Sequence, residues 1–390
     1  MLVSLRSKYC NTFTIALLVL LIGIAARVLI PLRGFNYDIE SWKITADILA
    51  NGGNVYGQTG RYNYGPIWFY ILHFLDQFPG TGAGHFLAFR WKVALFLSVV
   101  DIGIFIVLLR LYGVLVAGLF FLNPISIIIT GYHSQMDNLA LLIGLIAVLL
   151  IERKRQAWGL MPGLVVLGLS LMTKHFLIFF PLWLAFKEER WSKKLLVVLV
   201  PYSLFLASFI PFWKLGHGGI ISNVFLYRSV SNAPFWATFA PNFIYLVMPK
   251  IILFVGTLMV LGLIWRNKKP LESFNYYLIC VVIFSSAVVN QYFSISLPAI
   301  ATQWNWAYST FTLFTTVFLT VDWAGLHIGF MQKSLHWQGA YGYHVAIAFL
   351  FFGFMIHLAG PVRCQKIVTI FKSKFNECKK VLLEQIRAPF

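Results

Sequence analysis

The feature that most constrains this chain is a succession of long apolar runs separated by short basic segments. The first run, residues 12–32, has about the 20 residues that a helix needs to cross a bilayer. It is too long and too poorly punctuated for a cleaved signal peptide, and further runs follow it. The chain is 59% hydrophobic and 11% charged, whereas a soluble domain carries about 25% charged residues. The sequence therefore predicts an all-α, polytopic membrane helix bundle.

The basic residues give this bundle an orientation. The net charge is +18, and most of it lies in short clusters between apolar runs, which is typical of cytoplasmic loops. The clusters are Arg6 and Lys8; residues 153–155; Lys187, Arg190, Lys193 and Lys194; Arg266, Lys268 and Lys269; and the tail after residue 362. Both termini are then cytoplasmic. Nucleic-acid binding is not expected, because the charge follows the spans instead of forming one basic domain.

Two regions are expected along the chain. Residues 1–362 form the membrane domain, and residues 363–390 form a basic amphipathic tail on the anionic membrane surface. Spans are predicted near 12–32, 86–109, 113–130, 138–151, 195–213, 243–265 and 343–360. Residues 157–186 enter and return with a turn at 173–175, and 273–321 form a span, a short half-helix after 290–291 and a second span. This gives about eleven or twelve membrane segments, with outer loops at 33–84, 131–138 and 322–342 and an interfacial helix at 66–78.

Unusual polar residues collect in the first outer loop. On a helix Asp38 and Glu40 would point about 200° apart, so one shared site is not expected. Asp38 either faces a cavity or caps a helix that starts at Glu40. Trp42 is a ligand contact or an anchor at the membrane interface. Arg61 and Tyr64 lie in an aromatic turn that suits a sugar phosphate, although an aromatic belt gives the same pattern.

Two further segments carry polar side chains. In residues 130–138, His133 and Gln135 are candidate ligand contacts, and Asp137 is either another contact or a helix cap. Lys174 and His175 lie between two short apolar helices, where a cation is costly without an anionic partner. Lys174 either pairs with Asp137 or Asp38, or binds a phosphate as a point charge. The spacing of His, Cys and acidic residues predicts neither a metal site nor a cofactor.

The order of these segments resembles the GT-C glycosyltransferases. Residues 37–42, 63–66 and 131–138, with Lys174-His175 before Pro181, are most similar to dolichyl-phosphate-glucose-dependent glucosyltransferases and related prokaryotic mannosyltransferase-like proteins. The resemblance covers roughly the first 190 residues. It implies a GT-C fold and transfer of a hexose, of the glucose or mannose class, from a polyprenyl-phosphate donor. The acceptor would be a hydroxyl of a lipid-linked or other glycan on the outer or luminal face.

The resemblance also implies roles for single residues. Asp38 corresponds to the catalytic carboxylate, and Lys174 to the residue that contacts the donor phosphate. We expect the donor phosphate to be bound by Lys174, His175, Arg228 and Arg61. The expected sugar or acceptor contacts are Glu40, Trp42, Tyr64, His133, Gln135, Asp137, Gln291 and Tyr292.

Two departures from the eukaryotic pattern lie later in the chain. Arg228 is kept, but the acidic residues that follow it in the glucosyltransferases are missing, and residues 290–293 replace a His-Glu-Lys motif. These changes favour the plasma membrane of a prokaryote over the endoplasmic reticulum. The alternative function is a transporter or flippase of a polyprenyl-linked or anionic solute, since broken segments such as 157–186 are typical of transporter sites. The lack of repeated halves and the one-sided polar groups favour the enzyme.

Overall fold

A computed structural model describes most of the chain, namely residues 2–78, 84–153, 157–227, 229, 232–322, 324–326, 328–329, 331 and 341–360. Within these residues the regular structure is helical and contains no strand. The expected all-α class is therefore confirmed. The tail at 363–390, Arg228 and most of the loop at 322–342 lie outside the described residues.

Several of the helices can cross a membrane. In the described part of the chain, four are long and apolar enough: Thr12–Arg33, His85–Tyr112, Trp191–Phe225 and Tyr341–Gly360. The pair Val114–Phe121 and Pro124–His133 would be a fifth span, bent by 47°. Shorter apolar helices of 10–17 residues accompany them. The protein is thus a multi-pass helical membrane protein, and the total of eleven or twelve membrane segments stays a prediction.

The helices are numbered in chain order. They are α1 Leu2–Leu29, α2 Asp38–Ala50, α3 Val55–Gln58, α4 Pro66–Asp76, α5 Gly84–Tyr112, α6 Val114–Phe121, α7 Pro124–Ile128, α8 Asp137–Arg153, α9 Ala157–Thr173, α10 Phe180–Ala185, α11 Trp191–Ala207, α12 Trp213–Gly219, α13 Pro234–Phe239, α14 Asn242–Val247, α15 Lys250–Ile264, α16 Pro270–Ile283, α17 Tyr292–Ile295, α18 Leu297–Thr302, α19 Trp306–Val321 and α20 Tyr341–Gly360.

Three predicted spans differ from the structure, and the one near 243–265 is divided into α14 and α15 at Met248 and Pro249. The span near 113–130 is broken between α6 and α7, because Pro124 cannot donate a hydrogen bond to the preceding turn. Asn123 caps the new helix, its Oδ1 accepting from the N–H of Ile125 at 3.0 Å. The helix predicted to end at 213 continues to Phe225 through α12. This continuation packs against the first outer loop, and glycine makes the close contact possible, since a Cβ on Gly219 would collide with the carbonyl of Tyr56.

The first outer loop folds against the bundle as α2, α3 and α4. Pro66 begins α4 directly after Gly65, a position where its missing N–H costs nothing. Buried aromatic rings join these helices: Tyr56, Tyr62, Trp42, Trp68 and Phe69 pack mainly edge to face, with centroids 5.5–6.5 Å apart. Such pairs stabilise beyond their buried area. The aromatic core gives the start of α2 a firm base.

Candidate active site

A cavity of about 940 Å³ lies where two parts of the first outer loop, residues 35–38 and 63–64, meet later segments of the chain. The later segments include residues 132–133, 174–176 and 289–292. The expected site residues that line it are Asp38, Tyr64, His133, Lys174, His175, Gln291 and Tyr292. Glu40, Trp42, Arg61, Gln135 and Asp137 lie outside its lining. Seven of the predicted residues, from distant parts of the sequence, therefore converge on one cavity.

Asp38 is the first residue of α2, and its carboxylate faces the cavity. The start of the helix is supported by Asn36, whose Oδ1 accepts from the N–H of Asp38 at 3.0 Å. The carboxylate of Asp38 instead accepts a hydrogen bond from Nε2 of Gln135. Of the two alternatives for Asp38, the structure favours the cavity over the helix cap.

The electrostatic environment of Asp38 is mixed. Burial raises the pKa of its carboxyl above the ordinary value of 3.8, and the charges of Lys174 and then Arg61 oppose that rise. The charge of Asp137 raises the pKa further, while the hydrogen bond from Gln135 lowers it. A carboxylate that is harder to keep ionised is a stronger base than a free aspartate.

The loop that carries Gln135 has an unusual backbone. Ser134 is left-handed, with φ 53° and ψ 46°, a conformation that few residues other than glycine adopt. It follows a π-helical turn at residues 129–133. Nε1 of buried Trp42 donates to the carbonyl of Ser134 at 3.1 Å and holds this turn. Trp42 thus supports the loop from below, and Gln135, which belongs to the loop, contacts Asp38 with its side chain.

Lys174 lies in the extended break between α9 and the short helical turn His175–Leu177. Its Nζ lies 2.7 Å from Oδ2 of Asp137, and both side chains are buried. The alternative of an ion pair with Asp137 is therefore observed. An ammonium group has three donors, and the Lys174 ammonium also lies 5.1 Å from the ring centroid of Tyr64. The charge of Lys174 is balanced by Asp137, but its ammonium keeps further hydrogen-bond donors at the cavity.

The aromatic turn at residues 61–66 is fitted closely against α9. A Cβ on Gly65 would collide with the carbonyl of Met172, so the turn can approach Lys174 only with glycine there. Arg61 lies further out, with a guanidinium nitrogen 3.8 Å from the Glu40 carboxylate and its centre 4.0 Å from the Tyr37 ring centroid. Arg61 and Glu40 form a partly exposed pair beside the cavity.

Several buried polar atoms near the cavity have no hydrogen-bond partner among the described residues. They are Nε2 of His133, Oε1 of Gln135, Oδ1 of Asp137 and Nδ1 of His175. Leaving a buried donor or acceptor unmatched costs about 1–3 kcal/mol. His133 and His175 line the cavity and Gln135 and Asp137 lie directly behind its wall, and this concentration points to a polar ligand. No group of three His, Cys, Asp or Glu in the described residues is arranged to hold a metal ion.

One solved structure is similar to this chain. It is the crystal structure of ArnT from Cupriavidus metallidurans in the apo state, with a TM-score of 0.48 and 14% sequence identity. The aligned region covers 91% of this chain and 77% of that chain. No family model and no curated protein matches the sequence.

The sequence reasoning missed a polar cluster at the far wall of the cavity. Asn290 donates to Asp322 at 2.9 Å and accepts from the hydroxyl of Tyr343 at 2.7 Å. Asn36 donates to the carbonyl of Ala324 at 2.7 Å, which ties this wall to the start of α2. These contacts join residues up to 288 positions apart, so neither spacing nor periodicity reveals them.

A second missed group lies behind the site, within the bundle. Arg27 and Asp101 are fully buried and form an ion pair with Nε 2.8 Å from Oδ2. Asp101 also accepts from Thr130 at 2.8 Å and from Asn138 at 2.6 Å. The signal was present in the sequence, since each residue is a lone charge within an apolar run. The pair fixes both ends of the loop that carries Gln135.

Proposed function

We propose that the protein is a membrane glycosyltransferase of the GT-C type. It transfers a hexose of the glucose or mannose class from a polyprenyl-phosphate donor to an acceptor hydroxyl, with inversion at the sugar carbon. The observation that best supports this proposal is that Asp38 and Lys174 line the same cavity. The resemblance of the first 190 residues to the GT-C family supports this assignment.

The proposed step needs one base. The acceptor oxygen attacks the anomeric carbon, and its proton passes to the carboxylate of Asp38. The bond between the anomeric carbon and the phosphate oxygen breaks, and its electron pair leaves with the polyprenyl phosphate. Because this phosphate is a stabilised anion, no strong general acid is required. Positioned proton transfer of this kind contributes about 10²–10⁴-fold to a rate.

The leaving phosphate needs fixed cationic charge. Lys174 supplies it in this proposal, with His175 beside it and Arg61 further out, and Arg228 is the fourth proposed phosphate contact. The Asp137 contact orients the Lys174 ammonium, and a donor phosphate would add a second anion to it. Fixed cations at this point favour the transition state, where charge develops, over the ground state.

The sugar and the acceptor would be held by hydroxyl-binding groups around the cavity. His133, Tyr64, Gln291 and Tyr292 line it and suit this role. Gln135 and Asp137 keep free acceptor atoms behind them, and Glu40 and Trp42 complete the proposed set from the rim and the base. The acceptor is a lipid-linked or other glycan, the enzyme lies in the plasma membrane of a prokaryote, and the transfer takes place on its outer face.

The test is the Asp38→Asn variant, which keeps the shape and an acceptor for Gln135 but removes the base. Donor binding should persist, while the transfer rate should fall by at least about 100-fold. Asp47→Asn is the matched control, since Asp47 lies on the same helix, pairs with Lys43 and does not line the cavity. Full activity of Asp38→Asn would move the base to Glu40 or Asp137.

A transporter or flippase remains the competing function, since the cavity also suits an anionic solute. A labelled polyprenyl-phosphate sugar incubated with purified protein and acceptor in detergent separates the two. The transferase releases the label from the polyprenyl phosphate. If the donor stays intact in detergent, and the labelled substrate is taken up into vesicles that contain the protein, the protein is a transporter instead.

A further inference from the structure

A second cavity, of about 560 Å³, lies at the other end of α8. It is lined by Ile151 and Glu152, whereas Asp137 at the start of α8 neighbours the candidate active site. At a rise of 1.5 Å per residue, the two ends of α8 are about 22 Å apart. This second cavity is therefore separate from the candidate active site and lies among the basic clusters of the predicted cytoplasmic side.

The lining of the second cavity is strongly cationic. Lys187, Lys193, Arg266, Lys268 and Lys269 contribute positive charges, against the acids Glu152 and Glu188. Both acids already have partners. Glu152 accepts the N–H of Leu271 at 3.0 Å, and Glu188 lies 3.9 Å from Nζ of Lys193.

Among the cations that line the second cavity, Arg266 and Lys269 are the two that have neither an acidic partner among the described residues nor the carbonyl contacts of Lys187. In the described part of the chain, no carboxylate oxygen lies within the 4.0 Å ion-pair distance of either side chain, and Lys268 pairs with Glu272 at 2.7 Å. The turn that carries these residues is fixed by Lys187, whose Nζ donates to the carbonyls of Trp265 and Lys268 at 3.3 and 2.6 Å. Burial lowers the pKa of Lys187 to about 8.

The remaining wall of the second cavity is apolar. It consists of Ile151, Leu160, Leu164, Leu184 and Val197, from the helices α8, α9, α10 and α11. A cavity with cations on one side and aliphatic side chains on the other matches a molecule that carries an anionic head and an apolar body. Inorganic phosphate would gain nothing from the aliphatic wall.

The face of α11 opposite the one that lines this cavity has the features of a membrane interface. Trp191 begins α11 and is 75% exposed, and the ammonium of Lys194 lies 4.7 Å from its ring centroid. One and two turns further along α11, Leu195 and Leu199 are each 54% exposed. Tryptophan beside a cation is typical of the head-group level, and exposed leucines beyond it are typical of the acyl-chain level.

We propose that the second cavity binds the phosphate head group of an anionic membrane lipid, with the start of its acyl chains against the aliphatic wall. Arg266 and Lys269 bind the phosphate, and the aliphatic wall contacts the glycerol end of the chains. Basic pockets between membrane helices are suited to such head groups. The proposal does not depend on the transferase reaction.

The test measures binding of phosphatidylglycerol to the purified full-length protein in detergent, by native mass spectrometry. Arg266→Gln with Lys269→Gln should weaken phosphatidylglycerol binding by about 30-fold, at ~1 kcal/mol for each cation near a lipid surface. The matched control is Arg190→Gln with Lys194→Gln. It removes the same charge from the same side but from residues outside the cavity lining, and binding should change less than about threefold.

Three outcomes would overturn the proposal. Equal weakening in both double variants would mean diffuse attraction to the basic face. Unchanged binding in the cavity variant would remove the site. Displacement of phosphatidylglycerol by millimolar inorganic phosphate, but not by phosphatidylcholine, would mean a soluble phosphate ligand.

A second measurement covers the case in which the cavity variant does not fold. Photoactivatable phosphatidylglycerol added to the unchanged protein should attach to residues 184–197 and 264–270. Attachment spread evenly over the lipid-facing helices would contradict a built site.

Discussion

At the scale of single residues, Asp38 combines burial with nearby positive charge. Burial raises the pKa of its carboxyl, and Lys174 and Arg61 restrain that rise. The two influences leave a carboxylate that can be ionised yet accepts a proton more readily than a free aspartate. The proposed base therefore depends on its neighbours as much as on its own side chain.

The pH dependence of transfer follows from this pKa. A general base works in its ionised form, so kcat/KM should fall as the pH decreases through the pKa of Asp38. Arg61→Gln removes a charge that lowers the pKa of Asp38, so it should move the acidic limb to higher pH. Lys43→Gln is the control, since Lys43 pairs with Asp47 and Asp76, and its profile should coincide with that of the unchanged protein. An acidic limb that stays in place in Arg61→Gln would exclude Asp38 as the titrating base.

The same raised pKa has a cost in stability. A carboxyl whose pKa is higher in the folded state than in the unfolded chain favours folding at low pH, and this contribution is lost as the pH rises through the folded-state pKa. At neutral pH, Asp38→Asn should therefore raise the melting temperature or leave it unchanged while transfer is lost. The measurement is thermal unfolding in detergent at pH 7. A clear fall in melting temperature would show that the carboxylate stabilises the fold.

Sequence reasoning found the residues that stand out chemically. Asp38, Lys174 and His175 are conspicuous because polar groups are rare beside apolar runs, and all three line the cavity. It did not find Asn290 or Tyr343, because an amide and a phenol near a membrane boundary are ordinary. Only the folded chain brings them to the same wall, and a single sequence carries no record of such distant contacts.

At the scale of helices and loops, the ion pair of Arg27 and Asp101 links α1, α5 and the loop before α8. Arg27 also donates to the carbonyl of Phe121 at 2.7 Å and to Ser126 at 2.9 Å. A buried charge that loses its partner is costly, whereas replacing both partners with apolar groups is often neutral. The network positions the loop that carries Gln135.

The Asp101→Ala variant tests this role. It leaves Arg27 buried without a counter-charge and should cost about 3–5 kcal/mol of stability. Arg27→Met with Asp101→Leu should recover most of that loss but not the transfer rate, because Thr130 and Asn138 would still lack their acceptor. Lys268→Gln, which breaks the exposed pair with Glu272, is the control and should cost less than about 1 kcal/mol. Thermal unfolding and transfer assays on the same samples would check both expectations. An Asp101→Ala variant that loses no more stability than Lys268→Gln would contradict them.

Helix positions were easier to predict than helix ends. Hydrophobicity located the helices that cover 12–32, 86–109 and 343–360, since length and composition decide these. It missed the break before Pro124 and the continuation of α11 towards Phe225. Both depend on contacts that hydrophobicity does not record: the side-chain cap by Asn123 and the glycine-mediated contact with Tyr56.

At the scale of the whole molecule, polar groups differ in kind between the two ends of the bundle. The cavity with Asp38 and Lys174 collects an acid, a neutralised cation and unmatched polar atoms, whereas the cavity with Arg266 and Lys269 collects excess positive charge. Because cytoplasmic loops are enriched in Lys and Arg, this difference predicts that the candidate active site opens on the outer face.

Cysteine labelling decides this orientation. In a background with Cys10, Cys364 and Cys378 replaced by Ser, buried Cys280 should not react. Asn51→Cys, at the exposed end of α2, should react with a membrane-impermeant maleimide in intact cells. Asn267→Cys, in the exposed turn after α15, should react only after the membrane is permeabilised. Both sites carry the same substitution and both are exposed, so a difference in labelling reports the side of the membrane. The reverse labelling pattern would place the proposed transfer on the cytoplasmic face. It would also show that the orientation inferred from the basic residues is wrong.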